Sequence, residues 1–345
     1  MIKYLGSKRL LLPYLLEQID GAGEVRRVLD LFSGTARVGH ALKGAGYFVI
    51  ANDHNAYAAT LARCYVQADA GRHRAAATRL LDELRAVPPK DGWFTETFCR
   101  QSRYLHPRNG ARVEGMRERI AELGLEPDLE AILLTSLMEA ADRVDSTTGV
   151  QMAYLKKWAA RATNDLELRM PAILPGPGEV HMADALELVS EVDADLAYLD
   201  PPYNQHSYLG NYHVWETLVR WDEPEVYGVA RKRIDCRDPD RKSPFNSKRR
   251  IGEAMSALVA RVRAKHLLVS FSNEGYLDRE QLTAMLATRG EVEVLEIEYP
   301  RYVGAKIGIH NPAGKKVGTV SHTRNVEYVF SVKVDVPAST ATLGA

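Results

Sequence analysis

The chain is 345 residues long, 46% hydrophobic and 26% charged, an ordinary globular composition with ample length for a sizeable core. Lys plus Arg equals Asp plus Glu at 45 each, so whole-chain charge says nothing about partners and only local charge can point to one. Cys64, Cys99 and Cys236 are widely spaced, with no Cys-x-x-Cys pair and no His cluster, which argues against a disulfide framework and a metal site. No apolar run reaches membrane-span length and the first residues lack a signal-peptide layout, so a reduced, cytoplasmic protein with no metal and no membrane partner is expected.

In chain order, the leucine-rich residues 10–19 read as a short helix. Residues 25–32 read as a buried strand ending in the small-residue turn 33–39. A helix resumes over 38–45, and 47–51 reads as a second strand followed by Asn52-Asp53. Strand, small-residue turn, helix, strand and acid is how a doubly wound α/β sheet begins. Residues 56–170 are mostly helical in pattern, with a buried-type helix over 129–138, and the Pro- and Gly-rich run 171–178 closes this stretch. Strand-like segments return at 179–182, 196–199, 267–271, 292–299 and 326–332.

The strongest chemical signal is Asp200-Pro201-Pro202-Tyr203, directly after the strand-like run 196–199. Pro and Asp also favour surface turns. The setting at the carboxyl end of a parallel strand, where open α/β sheets bind ligands, favours a site. An exocyclic amine on a purine is a poor nucleophile because its lone pair is delocalised into the ring. The Asp200 carboxylate and the Pro201 carbonyl, fixed by the rigid Pro201-Pro202 unit, can accept its two N–H groups and stabilise the positive charge that develops on nitrogen. Tyr203 offers a flat face for a base taken out of the helix. No cysteine follows a proline, so a covalent route at cytosine carbon 5 has no nucleophile of the usual type.

The second signal is the turn Asp30-Leu31-Phe32-Ser33-Gly34-Thr35-Ala36-Arg37-Val38-Gly39, whose small residues let the backbone approach a cofactor, although any strand-to-helix turn can look similar. The third is Asp53, a carboxylate placed to accept from both hydroxyls of a ribose or, equally, to cap a helix.

These motifs, in this order, resemble the Dam/FokI-like class of N6-adenine DNA methyltransferases. Lys3-Tyr4-Leu5-Gly6-Ser7-Lys8-Arg9 is similar to the class's amino-terminal cofactor motif, and residues 200–222 and 143–171 resemble its FokI-type branch. The resemblance covers the chain to about Ser331. It implies a doubly wound, mostly parallel Rossmann-like methyltransferase sheet with a helical insertion. Residues 1–64 and 179–333 would form the catalytic domain, 65–178 the insertion and candidate target-recognition region, and 334–345 a disordered tail. It implies S-adenosylmethionine as cofactor, held by Tyr4 and Lys8, with Asp30, Ser33 and Gly34 lining the methionine portion, Asp53 at the ribose and Asp184 near the adenine. Asp200, Pro201, Pro202 and Tyr203 would be catalytic. Ala36 stands where many relatives carry a second glycine, a mild change if that backbone is not at positive φ. His206 stands where the FokI-like pattern has Arg.

Two basic stretches, 231–263 with Lys248 and Arg249, and 301–324 with Lys306, Lys315, Lys316 and Arg324, suit a surface that tracks the phosphates of double-stranded DNA, or a solvated charged face. The second reads as a long, glycine-rich hairpin or loop. Asn204, Tyr208, Asn211, Tyr212 and His213 follow the catalytic motif and are candidates to shape an adenine pocket. A cognate restriction endonuclease is a possible partner. The other readings are the same chemistry on RNA or on the guanine N2 amine, and a catalytically idle nucleic-acid-binding protein. The run after Tyr203 and the large insertion favour DNA adenine, and the intact Asp200 argues against an idle site.

Overall fold

The computed structural model describes residues 1–300, 309–310, 316–318, 324–336 and 338, with the backbone alone at 299–300, 309–310, 316–318 and 324. Its centre is a seven-stranded sheet of β1 (Arg27–Asp30), β2 (Phe48–Asn52), β3 (Glu179–His181), β4 (Asp193–Leu199), β5 (Arg263–Ser272), β6 (Val292–Pro300) and β7 (Arg324–Lys333). The strand order is β3-β2-β1-β4-β5-β7-β6. All neighbours are parallel except β7, which runs antiparallel to β5 and β6. The chain reverses its direction across the sheet between β1 and β4, where the crevice at the strands' carboxyl ends takes ligands in such folds. Register then decides the site. Asp30 lies opposite Ala51 and Tyr198, so β1, β2 and β4 end side by side and release Asp30, Asp53 and Asp200 along one edge.

Both faces of the sheet's centre are covered, which explains why β1, β2, β4 and β5 read as apolar runs, whereas the edge strand β6 alternates apolar residues with exposed Glu293, Glu296 and Glu298. One face carries the helices Ile251–Arg261 and Arg279–Leu286, which bury Met255, Leu258 and Leu282 against Leu29, Ile50, Leu199 and Val269. The other carries Leu12–Gly21, Arg37–Gly44 and Ala56–Ala62. Its core runs without a break into the insertion, where Leu81, Phe94, Met116, Ile132 and Leu137 belong to the same cluster as Val28, Leu42 and Val49. The insertion therefore shares a core with the sheet.

Three long helices, Ala70–Ala86, Pro107–Glu122 and Pro127–Arg143, and a shorter helical stretch over 93–100 build the insertion. Asp69 caps the first by accepting the Gly71 N–H at 2.7 Å, and the other two start on prolines whose fixed φ suits a first turn. The expectation of helix as far as residue 170 fails after Arg143. From 144 to 178 the only helical piece is the short turn Ala160–Thr163. Here side chains compete with a helix for the backbone: Arg161 reaches the Asp145 carboxylate and the Thr147 carbonyl, and the Ser146 hydroxyl accepts the Ala159 N–H. The Tyr154-Leu155-Lys156-Lys157-Trp158 core lies in this irregular run.

The insertion's two ends meet at a neck. A Cβ on Gly178 would lie 2.4 Å from the Val66 carbonyl oxygen, and the buried Lys43 ammonium ties down the Val66 and Ala68 carbonyls at 2.7 and 2.9 Å. The tail is better held than expected at its start. Val334 N–H donates to the Lys265 carbonyl, and Arg289 binds the Val336 carbonyl at 2.8 Å. Residue 337 and residues 339–345 lie outside the described residues. Within the basic stretch 301–324, Ile309–His310 pairs antiparallel with Lys316–Gly318, in keeping with a hairpin.

Candidate active site

A cleft open to solvent lies over the carboxyl ends of β1, β2 and β4. Of the residues expected from the sequence, Tyr4, Lys8, Asp30, Ser33, Gly34, Asp53, Asp184, Asp200 and Pro202 line it. Tyr203 packs beside it on Phe271, with ring centroids 5.4 Å apart.

Each position has a local cause. Gly34 sits at φ +52°, and a Cβ there would meet the Tyr4 ring at 3.2 Å, so the turn demands glycine twice over. Tyr4 is itself fixed between the Tyr208 and Tyr212 rings at centroid distances of 5.1 and 4.7 Å. The condition under which Ala36 would be a mild choice is not met: its φ is +57°, left-handed, so alanine carries strain there. Asp30 is buried and accepts the Gly39 N–H at 3.1 Å. Burial, with Asp200 nearby, pushes its pKa up to about 7. Asp53 accepts the Gly34 N–H on Oδ2 at 3.0 Å and two Asn55 donors on Oδ1 at 2.9 and 3.1 Å. A carboxylate offers about four lone-pair positions, so its remaining capacity is on Oδ2, enough for one hydroxyl. Burial raises its pKa to about 6. Asp184 caps the short helix Ala185–Leu188, its Oδ1 accepting the Leu186 N–H at 2.7 Å.

Asp200 is the most constrained of the set. Lys8 Nζ lies 2.9 Å from its Oδ1, and the Ser270 hydroxyl donates to the same oxygen at 2.9 Å. Both bonds fall on Oδ1, which leaves the Oδ2 lone pairs for a substrate. Burial raises the Asp200 pKa and the Lys8 charge pulls it back. Lys8 also contacts the buried Glu327 carboxylate. Burial disfavours the Lys8 charge, but Asp200 and Glu327 outweigh it and hold that pKa well above the ordinary lysine value. Lys8 thus braces the Asp200 carboxylate while lining the cleft. Ser270 and Glu327 are positioning residues that sequence reasoning missed. Glu327 lies 319 positions from Lys8, and only strand pairing, which sets Leu199 beside Val269 and Tyr328 beside Phe271, brings these residues to Asp200.

The run after Tyr203 divides. Ser207 and Tyr208 line the cleft, whereas Asn211, Tyr212 and His213 are core residues. His213 Nε2 sits 3.2 Å from the Tyr104 hydroxyl, and burial lowers its pKa to about 3, so it serves packing as a neutral ring. Asn204 folds locally, its side chain accepting the His206 N–H. His206 is exposed. Lys248 and Arg249 are exposed just past the cleft-lining segment 240–246. Lys316 and Arg324 are described by backbone only, and Lys306 and Lys315 lie outside the described residues. Among the described residues no three His, Cys, Asp or Glu side chains cluster to hold a metal, and no helix is long and apolar enough to cross a membrane.

This strand order, with its antiparallel seventh strand and acids released after β1, β2 and β4, defines a Rossmann-like methyltransferase fold. Residues 4–285 match the family model of D12 class N6 adenine-specific DNA methyltransferases, and the chain belongs to that family. It is 30% identical to the type II methyltransferase M.NlaIII of Neisseria lactamica over 320 residues, 88% of this chain and 93% of that protein. It is 30% identical to the modification methylase StsI of Streptococcus sanguinis over 87% of this chain and 49% of that protein. It is 28% identical to the type II methyltransferase M.FokI of Planomicrobium okeanokoites over 97% of this chain and 53% of that one. The chain thus spans nearly all of M.NlaIII and about half the length of StsI and M.FokI.

Proposed function

We propose that this protein transfers a methyl group from S-adenosylmethionine to the N6 amine of adenine at a specific sequence in double-stranded DNA, with the target base flipped into the cleft. The observation that carries the reading is the braced Asp200 carboxylate at the cleft, one oxygen held by Lys8 and Ser270 and the other left for the amine. The cleft suits a cationic, hydroxyl-bearing cofactor. Asp30, Asp53, Asp184 and Asp200 line it, and the Ser33 hydroxyl is buried there without a partner among the described residues. Tyr4, Asp30, Ser33 and Gly34 would hold its amino-acid portion, Asp53 a ribose hydroxyl and Asp184 its adenine side. When bound, S-adenosylmethionine supplies the methyl group on a positively charged sulfur.

The chain's own residues do the rest. Asp200 Oδ2 and the Pro201 carbonyl accept the two N–H groups of the target amine, draw its lone pair out of the ring and stabilise the charge that develops as nitrogen attacks. Tyr203, fixed on Phe271, stacks on the extruded base. Asp200, whose pKa is raised by burial, then takes the proton that the methylated amine gives up. The insertion 65–178 is the candidate target reader, and Lys248 and Arg249 are candidate phosphate contacts. A restriction endonuclease of the same specificity fits as a partner, since the curated relatives named above are modification or type II enzymes. Replacing Asp200 with Ala tests the chemical assignment. Single-turnover methyl transfer at saturating cofactor should fall about 100- to 1000-fold, with the fold retained. Near-wild-type transfer would remove Asp200 from the chemistry.

A further inference from the structure

Four cationic side chains line the cleft: Lys8, Arg37, Arg241 and Lys242. Lys8 is held between Asp200 and Glu327, Arg241 is paired with Glu216 at 3.1 Å, and Lys242 is exposed. Arg37 differs from Lys8 and Arg241 in that no carboxylate among the described residues forms an ion pair with it, and from Lys242 in being half-buried; its Nε, like that of Arg241, is buried without a hydrogen-bond partner. The Glu139 carboxylate nearby already takes the Tyr65 hydroxyl and the Met1 amino group. Burial lowers the Arg37 pKa, as expected of a guanidinium with no counter-charge in contact.

The second observation lies on the same turn. Ser33 is 8% exposed, its hydroxyl has no partner among the described residues, and it lines the same cleft. Arg37 opens the helix Arg37–Gly44, whose first turn carries no acidic side chain, so the helix dipole there is uncompensated and also favours an anion. A half-buried guanidinium with no carboxylate partner and a buried hydroxyl, both unpaired among the described residues, are the donor set that receives a carboxylate. On the other side of the turn, Asp30 is the matching acid.

We propose that Arg37, with Ser33, anchors the α-carboxylate of the methyl donor, while Asp30 takes its α-amino group, so that this turn reads an amino-acid zwitterion. The assignment rests on the reading of the cleft as the S-adenosylmethionine site. It makes Arg37 a binding residue that selects donors carrying the carboxylate.

The test is equilibrium calorimetry of the full chain, without DNA, against S-adenosylmethionine and against decarboxylated S-adenosylmethionine, which lacks only that group. The wild type should favour the intact cofactor at least about 10-fold. Arg37→Gln should weaken binding of the intact cofactor about 10- to 100-fold, leave the decarboxylated form unchanged and so erase the preference, and Arg37→Lys should restore part of it. If Arg37→Gln does not fold, Ser33→Ala carries the same comparison and should shrink the preference. An equal loss for both ligands, or a wild type that does not discriminate, overturns the anchor while leaving the cofactor reading intact. Binding of neither ligand by folded wild type overturns the cofactor reading and the anchor with it.

Discussion

At the scale of single residues, function has been placed where stability suffers. Asp30 is buried beside another acid, and its pKa lies near 7 rather than at the ordinary 3.8. A folded-state carboxyl pKa raised above the unfolded value favours folding below the unfolded value, and that contribution is lost as pH rises, here from about 4 to about 7. Asp30→Asn, which keeps an acceptor for the Gly39 N–H, should therefore melt at a higher temperature than wild type at pH 8. The advantage should shrink steadily towards pH 5, at the expense of cofactor affinity. Melting curves across that range check the sign, and an advantage that grows on acidification contradicts it. Ala36 carries its own strain, a non-glycine residue in left-handed backbone at the turn that lines the cleft. The sequence shows the substitution, but the sign of φ emerges only from the fold.

At the scale of elements, the central strands were legible because both sheet faces are covered there and those strands run apolar, while the edge strand β6 was legible from its alternation of apolar residues with Glu293, Glu296 and Glu298. Each of the strand-like runs expected from the sequence overlaps an observed strand to within a few residues. The Asp-Pro-Pro-Tyr motif was legible for the same reason, since it follows a strand that reads clearly. What pattern alone could not show was pairing over long separations. Lys8 to Glu327 and Asp200 to Ser270 depend on which strands are neighbours. The irregular run 144–178 was misread because Asp145, Ser146 and Thr147 bind side chains and backbone locally, an effect hydrophobic periodicity does not register. This run returns the chain to the neck at Gly178. Gly178→Ala would press a methyl group against the Val66 carbonyl, 2.4 Å away, and backbone cannot yield as a side chain can. Unfolding in urea should show a loss of about 1–3 kcal/mol. An unchanged midpoint would mean that the neck is looser than described.

At the scale of the whole molecule, zero net charge leaves room for local charge. The cleft sets Asp30, Asp53, Asp184, Asp200 and Asp240 among Lys8, Arg37, Arg241 and Lys242, and the segment just beyond it carries Lys248 and Arg249 in solvent. Replacing both with Ala should weaken DNA binding at every sequence alike and flatten the log–log salt dependence by about one unit per residue. An unchanged slope removes them from the phosphate contacts. The insertion and the sheet share one hydrophobic core, so the target reading proposed for the insertion would be tied to Asp200 through packed side chains. Labelled S-adenosylmethionine, the full chain and unmethylated genomic DNA should together yield label in N6-methyladenine at one recurring short sequence. Label in RNA, in guanine or in no nucleic acid at all, with protein that is folded and binds the cofactor, would contradict it.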